Sequence, residues 1–299
     1  MAKIKTILSL LLALLMLGGC ASSVQNQNDT DFQNKNDLTV AVTSVAICQI
    51  LDRLGFENVV GIPETSSEIP EKYKTAATIG SPMNPDIEII KSISPDLVLS
   101  PQTLEASLSQ TYSNAGITSA FLDLSSVEGM YAAITSLGEY LGLEKEAELL
   151  NEEYYALLKK YDIKESDKED ILLLMAFPDG FYLVATENSY VGNLVKLAGG
   201  RNVYGSDYKG DENGFVSINP EDIVQKNPDR IFVFAHYSEE NAFKYMQKEF
   251  SENIMWQSFD AVKNEKITYL PSSLFGMSAN LGWTESLDYL RPILCGDSQ

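Results

Sequence analysis

Histidine is nearly missing from this chain of 299 residues: His236 is the only one. Capture of zinc or manganese by several imidazoles is therefore disfavoured. A Ser-His-Asp device would depend on that one ring, yet no G-x-S-x-G elbow is present. Neither a P-loop nor a G-x-G-x-x-G run opens a helical segment, so the chain is not expected to be an enzyme. Cysteine is also scarce, at three. Basic residues number 22 against 42 acidic ones, a formal charge of −20, which argues against nucleic acid as a partner.

Only one long apolar run exists, Ile7 to Leu17, and it is too short to span a bilayer. Lys3 and Lys5 precede it, and Leu17-Gly18-Gly19-Cys20 follows in the form of a lipobox. Residues 1–19 are therefore expected to be a lipoprotein signal peptide, with Cys20 as the lipidated first residue of the mature chain. Two or more acyl chains make such anchoring stable. The expected location is the extracytoplasmic face of a bacterial cell membrane, of Gram-positive type.

Residues 20–37, rich in Ser, Gln, Asn and Asp, form the expected flexible tether. The signal holds two of the basic residues and no acidic one, which leaves 20 against 42 and a charge of −22 for the mature chain. That charge disfavours lying flat on anionic lipid, so the folded part is expected to stand off the membrane. Cys48 and Cys295 are far apart and lack metal-ligand spacing. A disulfide and two idle thiols both stay open.

Short β-rich runs alternate with helical patterns. Strands are expected at 38–43, 58–62, 96–100 and 119–124, and again at 171–177, 181–186, 230–235 and 266–270. Between the two sets, Ala147, Leu150, Tyr154, Leu157, Leu158 and Tyr161 recur at three- and four-residue steps. They predict one amphipathic helix over 143–161, about 28 Å long at 1.5 Å per residue. Gly138 and Gly142 are expected to separate it from a helix over 127–140.

An internal repeat points to two equivalent halves. Glu88-Ile89-Ile90 with Pro95-Asp96-Leu97-Val98 matches Glu221-Asp222-Ile223 with Pro228-Asp229-Arg230-Ile231, at a constant offset of 133 residues. The expected fold is α/β, with two lobes that each hold a mostly parallel sheet flanked by helices. The first lobe is placed at 38–142, a spine helix at 143–162 and the second lobe at 163–299.

His236 directly follows the apolar run Ile231-Phe232-Val233-Phe234-Ala235, at the carboxyl end of a strand, where open α/β sheets bind ligands. A lone histidine is nevertheless more often structural. Met83 lies in Gly80-Ser81-Pro82-Met83-Asn84-Pro85, a stretch expected to be too rich in Gly and Pro for helix or strand, so its methionine is not obviously core, though most methionines serve packing.

Several stretches are more specific: Ile79-Gly80-Ser81-Pro82-Met83-Asn84-Pro85, Tyr182-Leu183-Val184-Ala185-Thr186, Ser189-Tyr190-Val191-Gly192, Leu194-Val195-Lys196-Leu197-Ala198-Gly199-Gly200, Met246-Gln247-Lys248-Glu249-Phe250 and Ala261-Val262-Lys263-Asn264. With them, nearly the whole mature domain resembles the IsdE-type haem-binding lipoproteins of iron-regulated surface determinant systems. The resemblance implies two lobes on a helical backbone, haem (iron protoporphyrin IX) held in the cleft, and delivery to an ABC permease driven by its ATPase. It places the methionine and histidine axial ligands at Met83 and His236. A neutral thioether and imidazole suit low-spin haem iron.

Ferric haem with ionised propionates is about −1 overall, so local donors must receive it. Ser44 and the Thr65-Ser66 loop are the candidates, and either site also reads as a cap or turn. Related binding proteins carry one acidic docking residue per lobe for the permease, which the repeat places at Glu88 and Glu221. Surface haem-donor proteins upstream and a monomeric state are further expectations. The alternatives are an iron-siderophore or cobalamin carrier of the same importer class, and a haem-dependent extracellular enzyme or sensor.

Overall fold

A computed structural model describes residues 37–161, 169–208, 210–211, 213–218 and 220–295. Cys20, the signal segment and all but the last residue of the expected tether lie outside the described residues.

The first sheet is built from β1 (Val40–Val42), β2 (Val59–Ile62), β3 (Ala77–Thr78), β6 (Leu97–Pro101) and β7 (Ser119–Leu122). Its order is β3-β2-β1-β6-β7 and every pairing is parallel. A small antiparallel hairpin, β4 (Gly80–Ser81) and β5 (Asn84–Pro85), follows β3. Helices α1 (Val45–Arg53), α2 (Ile87–Ile93) and α3 (Glu105–Ala115) complete this lobe. Every residue of β1 and β6 is buried, as expected of strands covered on both faces.

Helices α4 (Val127–Leu141) and α5 (Glu144–Lys160) lead to the second sheet. That sheet contains β8 (Asp170–Phe177), β9 (Phe181–Ala185), β10 (Arg201–Asn202), β11 (Phe215–Val216), β12 (Arg230–Ala235) and β13 (Ile267–Tyr269). Its order is β11-β9-β8-β12-β13, with β10 beside the start of β8. β8, β12 and β13 are parallel, whereas β9 runs antiparallel to β8 and β11. Helices α6 (Tyr190–Ala198), α7 (Pro220–Lys226), α8 (Glu239–Glu252), α9 (Ile254–Gln257), α10 (Asp260–Lys263) and α11 (Trp283–Cys295) surround it.

All eight strands expected from the sequence are present, each within two residues of its expected ends. The unforeseen strands, β3, β4, β5, β10 and β11, are two residues long. Two residues carry no period, and only a neighbouring strand defines them; β4 and β5 thus overturn the expectation that Gly80 to Pro85 holds no strand, because each pairs with the other across the turn at Pro82 and Met83.

Alternation along the strands divides the core. Ile171, Leu173 and Met175 of β8, with Phe232 and Phe234 of β12, share a cluster with Val40, Val42, Leu97 and Leu99 of the first sheet. The intervening Leu172, Leu174, Ile231 and Val233 pack outward in a second cluster. Ala41 and Val98 do the same on the far side of the first sheet. The two lobes therefore share one apolar centre, occupied by α4 residues such as Met130, Ile134 and Leu137 and by Trp283, Leu287 and Leu290 of α11.

Gly138 does not separate helices, as the sequence suggested; α4 runs through it. A Cβ there would lie 2.5 Å from Ala147 Cβ, so its bare backbone admits the close approach of α5. Gly142 alone ends α4, with φ of 74°, a left-handed conformation that glycine adopts at little cost. α5 touches both lobes: Glu153 pairs with Arg53 of α1 at 2.9 Å, and the Tyr161 hydroxyl, just past its end, donates to Asp288 of α11 at 2.8 Å.

The repeat is structural. α2 and α7 each precede a residue of positive φ, Ser94 at 45° and Asn227 at 38°, before the Pro-Asp pair. The Asp96 carboxylate accepts the Thr39 backbone N–H at 2.8 Å, and Asp229 accepts that of Asp170 at 2.9 Å. Each aspartate thus clips its strand, β6 or β12, to the start of the adjacent β1 or β8.

Candidate functional site between the sheet edges

His236 is the first residue beyond β12, and its backbone N–H donates to the Ala176 carbonyl of β8 at 3.1 Å. Its ring is half-buried. Nδ1 is buried without a hydrogen-bond partner. Burial lowers its pKa below the ordinary value, so the imidazole is neutral at pH 7 with a lone pair to offer.

Aromatic rings surround it. The Phe177 centroid lies 5.1 Å from the imidazole and that of Tyr237 5.5 Å away. Phe181 stacks on Phe177 at 4.1 Å and 14° across the Pro178-Asp179-Gly180 turn joining β8 to β9. The Tyr237 hydroxyl donates to Asp179 Oδ2 at 2.6 Å. Phe181 and Tyr237 nevertheless stay 45% and 49% exposed. Sequence reasoning missed this set; the available signal was a pair of phenylalanines flanking a Pro-Asp-Gly turn, where solvent-seeking residues are usual.

Met83 and Pro82 form the tip of the β4–β5 hairpin, and Met83 is 68% exposed. A methionine so placed packs no core. The hairpin leaves the carboxyl end of β3, on the same edge of the first sheet as Ser44, Thr65 and Ser66, which follow β1 and β2. Ser44 caps α1 by accepting the Ile47 N–H at 3.3 Å, and Thr65 accepts the Ser67 N–H at 3.0 Å. Both side chains hold local turns, with their hydroxyl protons still available to a ligand. On the same edge, a pocket of about 360 Å³ includes Glu105 and Asp123, a poor receptor for propionates.

The carboxyl edges of the two sheets meet at one side. Ala279, past β13, donates its N–H to the Leu124 carbonyl past β7 at 2.7 Å. Nearby, Asn193 of α6 accepts the Val127 N–H of α4 at 3.0 Å and donates to Glu128 at 2.9 Å. Met83 and His236 each lie past the carboxyl end of a strand, β3 of the first sheet and β12 of the second, whereas the link between the sheets runs past β7, at the other end of the first sheet from β3. Glu88 and Glu221 lie exposed in the first turns of the repeated helices α2 and α7.

Residues 40–274 match the family model described as periplasmic binding protein. The chain belongs to that family. Among its members, the chain is similar to the "High-affinity heme uptake system protein IsdE" of Staphylococcus aureus (strain bovine RF122 / ET3-1), 33% identical over 99% of both chains. The solved structure of S. aureus IsdE complexed with heme superposes with a TM-score of 0.78 and 34% identity, covering 86% of this chain and 99% of that one. An ABC transporter substrate-binding protein from Listeria monocytogenes EGD-e gives a TM-score of 0.79 at 38% identity, with 86% and 98% covered. This periplasmic binding protein accordingly has the two-lobed α/β architecture expected from its sequence. Cys48, whose pairing the sequence left open, is a free buried thiol in α1, with a pKa that burial raises to about 12.

Proposed function

We propose that this chain captures one haem between the carboxyl edges of its two sheets and delivers it to an ABC permease and its ATPase for haem-iron import. Met83 and His236 are the axial ligands in this reading, one from each lobe. The observation that carries it is a half-buried imidazole at the carboxyl end of β12, flanked by Phe177 and Tyr237, together with a solvent-facing methionine on the hairpin past the carboxyl end of β3. The relatives named for haem add support.

Haem is cargo here rather than a resident cofactor, so the protein's task is to hold it and let it go. Both iron donors are uncharged, and the thioether is the softer and weaker toward ferric iron. Ser44, Thr65 and Ser66 are assigned to the propionates. Glu88 and Glu221, one per lobe, are assigned to permease contact. Lipidated Cys20 keeps the monomer within tether reach of its importer, which raises the effective concentration for a weak docking contact. No helix of the described residues is long and apolar enough to cross a membrane, so attachment rests on that anchor. Surface proteins that pass haem inward are the expected donors.

Absorption spectroscopy of protein purified from haem-fed cells tests the reading. A sharp Soret band with low-spin visible bands is expected; His236→Ala should abolish the low-spin pattern and Met83→Ala should alter it. A siderophore or cobalamin carrier would show no haem Soret band and would be indifferent to both substitutions.

A further inference from the structure

The short segment after β12 is held from one side by the turn that joins β8 to β9. Phe177-Pro178-Asp179-Gly180 has proline second and glycine fourth, the pattern of a tight turn. The Gly180 N–H donates to the Phe177 carbonyl at 3.4 Å, and Gly180 takes a φ of 92°, which glycine adopts at little cost. Asp179 is thereby carried, exposed, at the tip of the turn. Its Oδ2 accepts the Tyr237 hydroxyl at 2.6 Å, across 58 residues of sequence. Such a bond to a carboxylate is charge-assisted.

Tyr237 directly follows His236, and the same hairpin reaches the histidine in two further ways. The His236 N–H donates to the carbonyl of Ala176, the residue before Phe177. The Phe177 ring lies 5.1 Å from the imidazole at 45°, and the Tyr237 ring 5.5 Å from it at 76°. Phe177 and Tyr237 are themselves 6.3 Å apart at 79°, so the three rings form a triangle with the imidazole at one corner. Beyond Tyr237, Ser238 has a φ of 49°. A residue with a Cβ keeps that left-handed conformation only where its surroundings hold it. Of the ties between hairpin and segment, the Tyr237–Asp179 bond is the one that can be removed without disturbing strand register or ring packing.

Resting on the haem reading above, we propose that Asp179 is a positioning residue for iron ligation: through Tyr237 it holds the ring that borders the imidazole and so fixes the rotation of His236. Asp179 touches neither haem nor iron in this role. An imidazole nitrogen bonds iron only along its lone pair, and a ring free to turn must give up that freedom on binding. Groups outside the ligand set ordinarily supply the constraint by bonding the imidazole itself. Here it comes through the neighbouring ring. Loss of the bond frees Tyr237, widens the range of imidazole orientations and lets the iron bond break more readily.

The test uses haem-loaded protein carrying Tyr237→Phe, which removes the hydroxyl and keeps the ring, or Asp179→Ala, which removes the acceptor. Electron paramagnetic resonance of the ferric forms reads imidazole orientation in the low-spin g-values, and transfer to excess apomyoglobin reads release. Each variant is expected to shift or broaden the low-spin signal and to speed release about fivefold, the order of one hydrogen bond to a charged group at an exposed site. The double variant should be no worse than either single one, because both remove the same bond. Asp179→Asn keeps an accepting oxygen and should lie closer to wild type than Asp179→Ala. Glu240→Ala removes a carboxylate three residues past Tyr237, one paired with Lys244, and should change neither readout. Lower melting temperatures of the Tyr237→Phe and Asp179→Ala apoproteins with unchanged g-values and release rates would show a merely structural role and overturn the proposal. Effects that add in the double variant, or an equal effect of Glu240→Ala, would overturn it too. All of these outcomes leave the haem reading intact. Wild-type protein without a low-spin haem signal would overturn both.

Discussion

At the scale of single residues, the sequence motif Ser189-Tyr190-Val191-Gly192 has a mechanical explanation. Ser189 caps α6, accepting the Gly192 N–H at 3.1 Å and donating its hydroxyl to the Thr186 carbonyl at 2.8 Å. The cap draws the first turn of α6 onto the end of β9. A Cβ on Gly192 would then sit 2.0 Å from the Thr186 carbonyl oxygen, a contact that no rotamer can relieve. Gly192→Ala is therefore expected to destabilise the fold by about 2–3 kcal/mol, the scale of overpacking against backbone. The check is the urea midpoint at unchanged m-value. Asn193, next in the chain, binds the first turn of α4, so damage at Gly192 also reaches the contact between α4 and α6.

At the scale of elements, the amino ends of the second sheet are tied by a partly buried charge cluster. Glu169 immediately precedes β8; it accepts from Arg230, the first residue of β12, at 2.8 Å and from Lys266, just before β13, at 3.2 Å. Burial raises the Glu169 pKa, but hydrogen bonds and attraction from the two cations outweigh it, and the net shift is downward. A carboxyl depressed in the folded state stabilises the protein above its unfolded pKa of about 4.3, and that contribution is lost as pH falls through the lower folded value. Glu169→Gln should accordingly cost about 1–2 kcal/mol at pH 7. The difference from wild type should shrink toward pH 3, as read by chemical denaturation at both values. At the other end of the same strands lie His236 and the aromatic rings, so this cluster fixes the register of the strands that present them.

For the whole molecule, the shared apolar centre sets what the lobes can do. Residues of both sheets, α4 and α11 form one cluster, and close-packed interiors resist gradual deformation. Large spontaneous opening would expose that centre, so in the proposed reading the permease, rather than thermal motion, drives the separation of Met83 from His236. In the same reading, the net negative charge of the chain favours a basic partner surface, and Glu88 and Glu221 are the contacts proposed for the two lobes. Glu88→Lys combined with Glu221→Lys is expected to leave the haem spectrum unchanged while slowing haem transfer to the reconstituted permease at least tenfold. Raised salt should slow the wild type in the same direction, because screening shortens the reach of these charges. Stopped-flow transfer measured at two ionic strengths, for both proteins, checks the pair of expectations.

The sequence by itself determined the strands, since long apolar runs such as Ile231 to Ala235 can only be buried. It also determined the twofold repeat, whose Pro-Asp pairs announce the same turn twice, and the position of the lone His236 at a strand end. These are local signals, readable over a few residues. What it could not determine were relations between distant segments: that Gly138 stays inside α4 to admit Ala147, that Asp96 and Asp229 each bind the start of a neighbouring strand, and that Tyr237 is pinned by Asp179, 58 residues earlier. Ser44 and Thr65 were legible as polar residues in turns, but their use as cap and turn acceptors follows from the backbone they meet. Only the tertiary structure set Phe177 and Tyr237 beside the imidazole, with Phe181 stacked on Phe177, because burial and ring contact depend on chain crossings that no periodicity encodes.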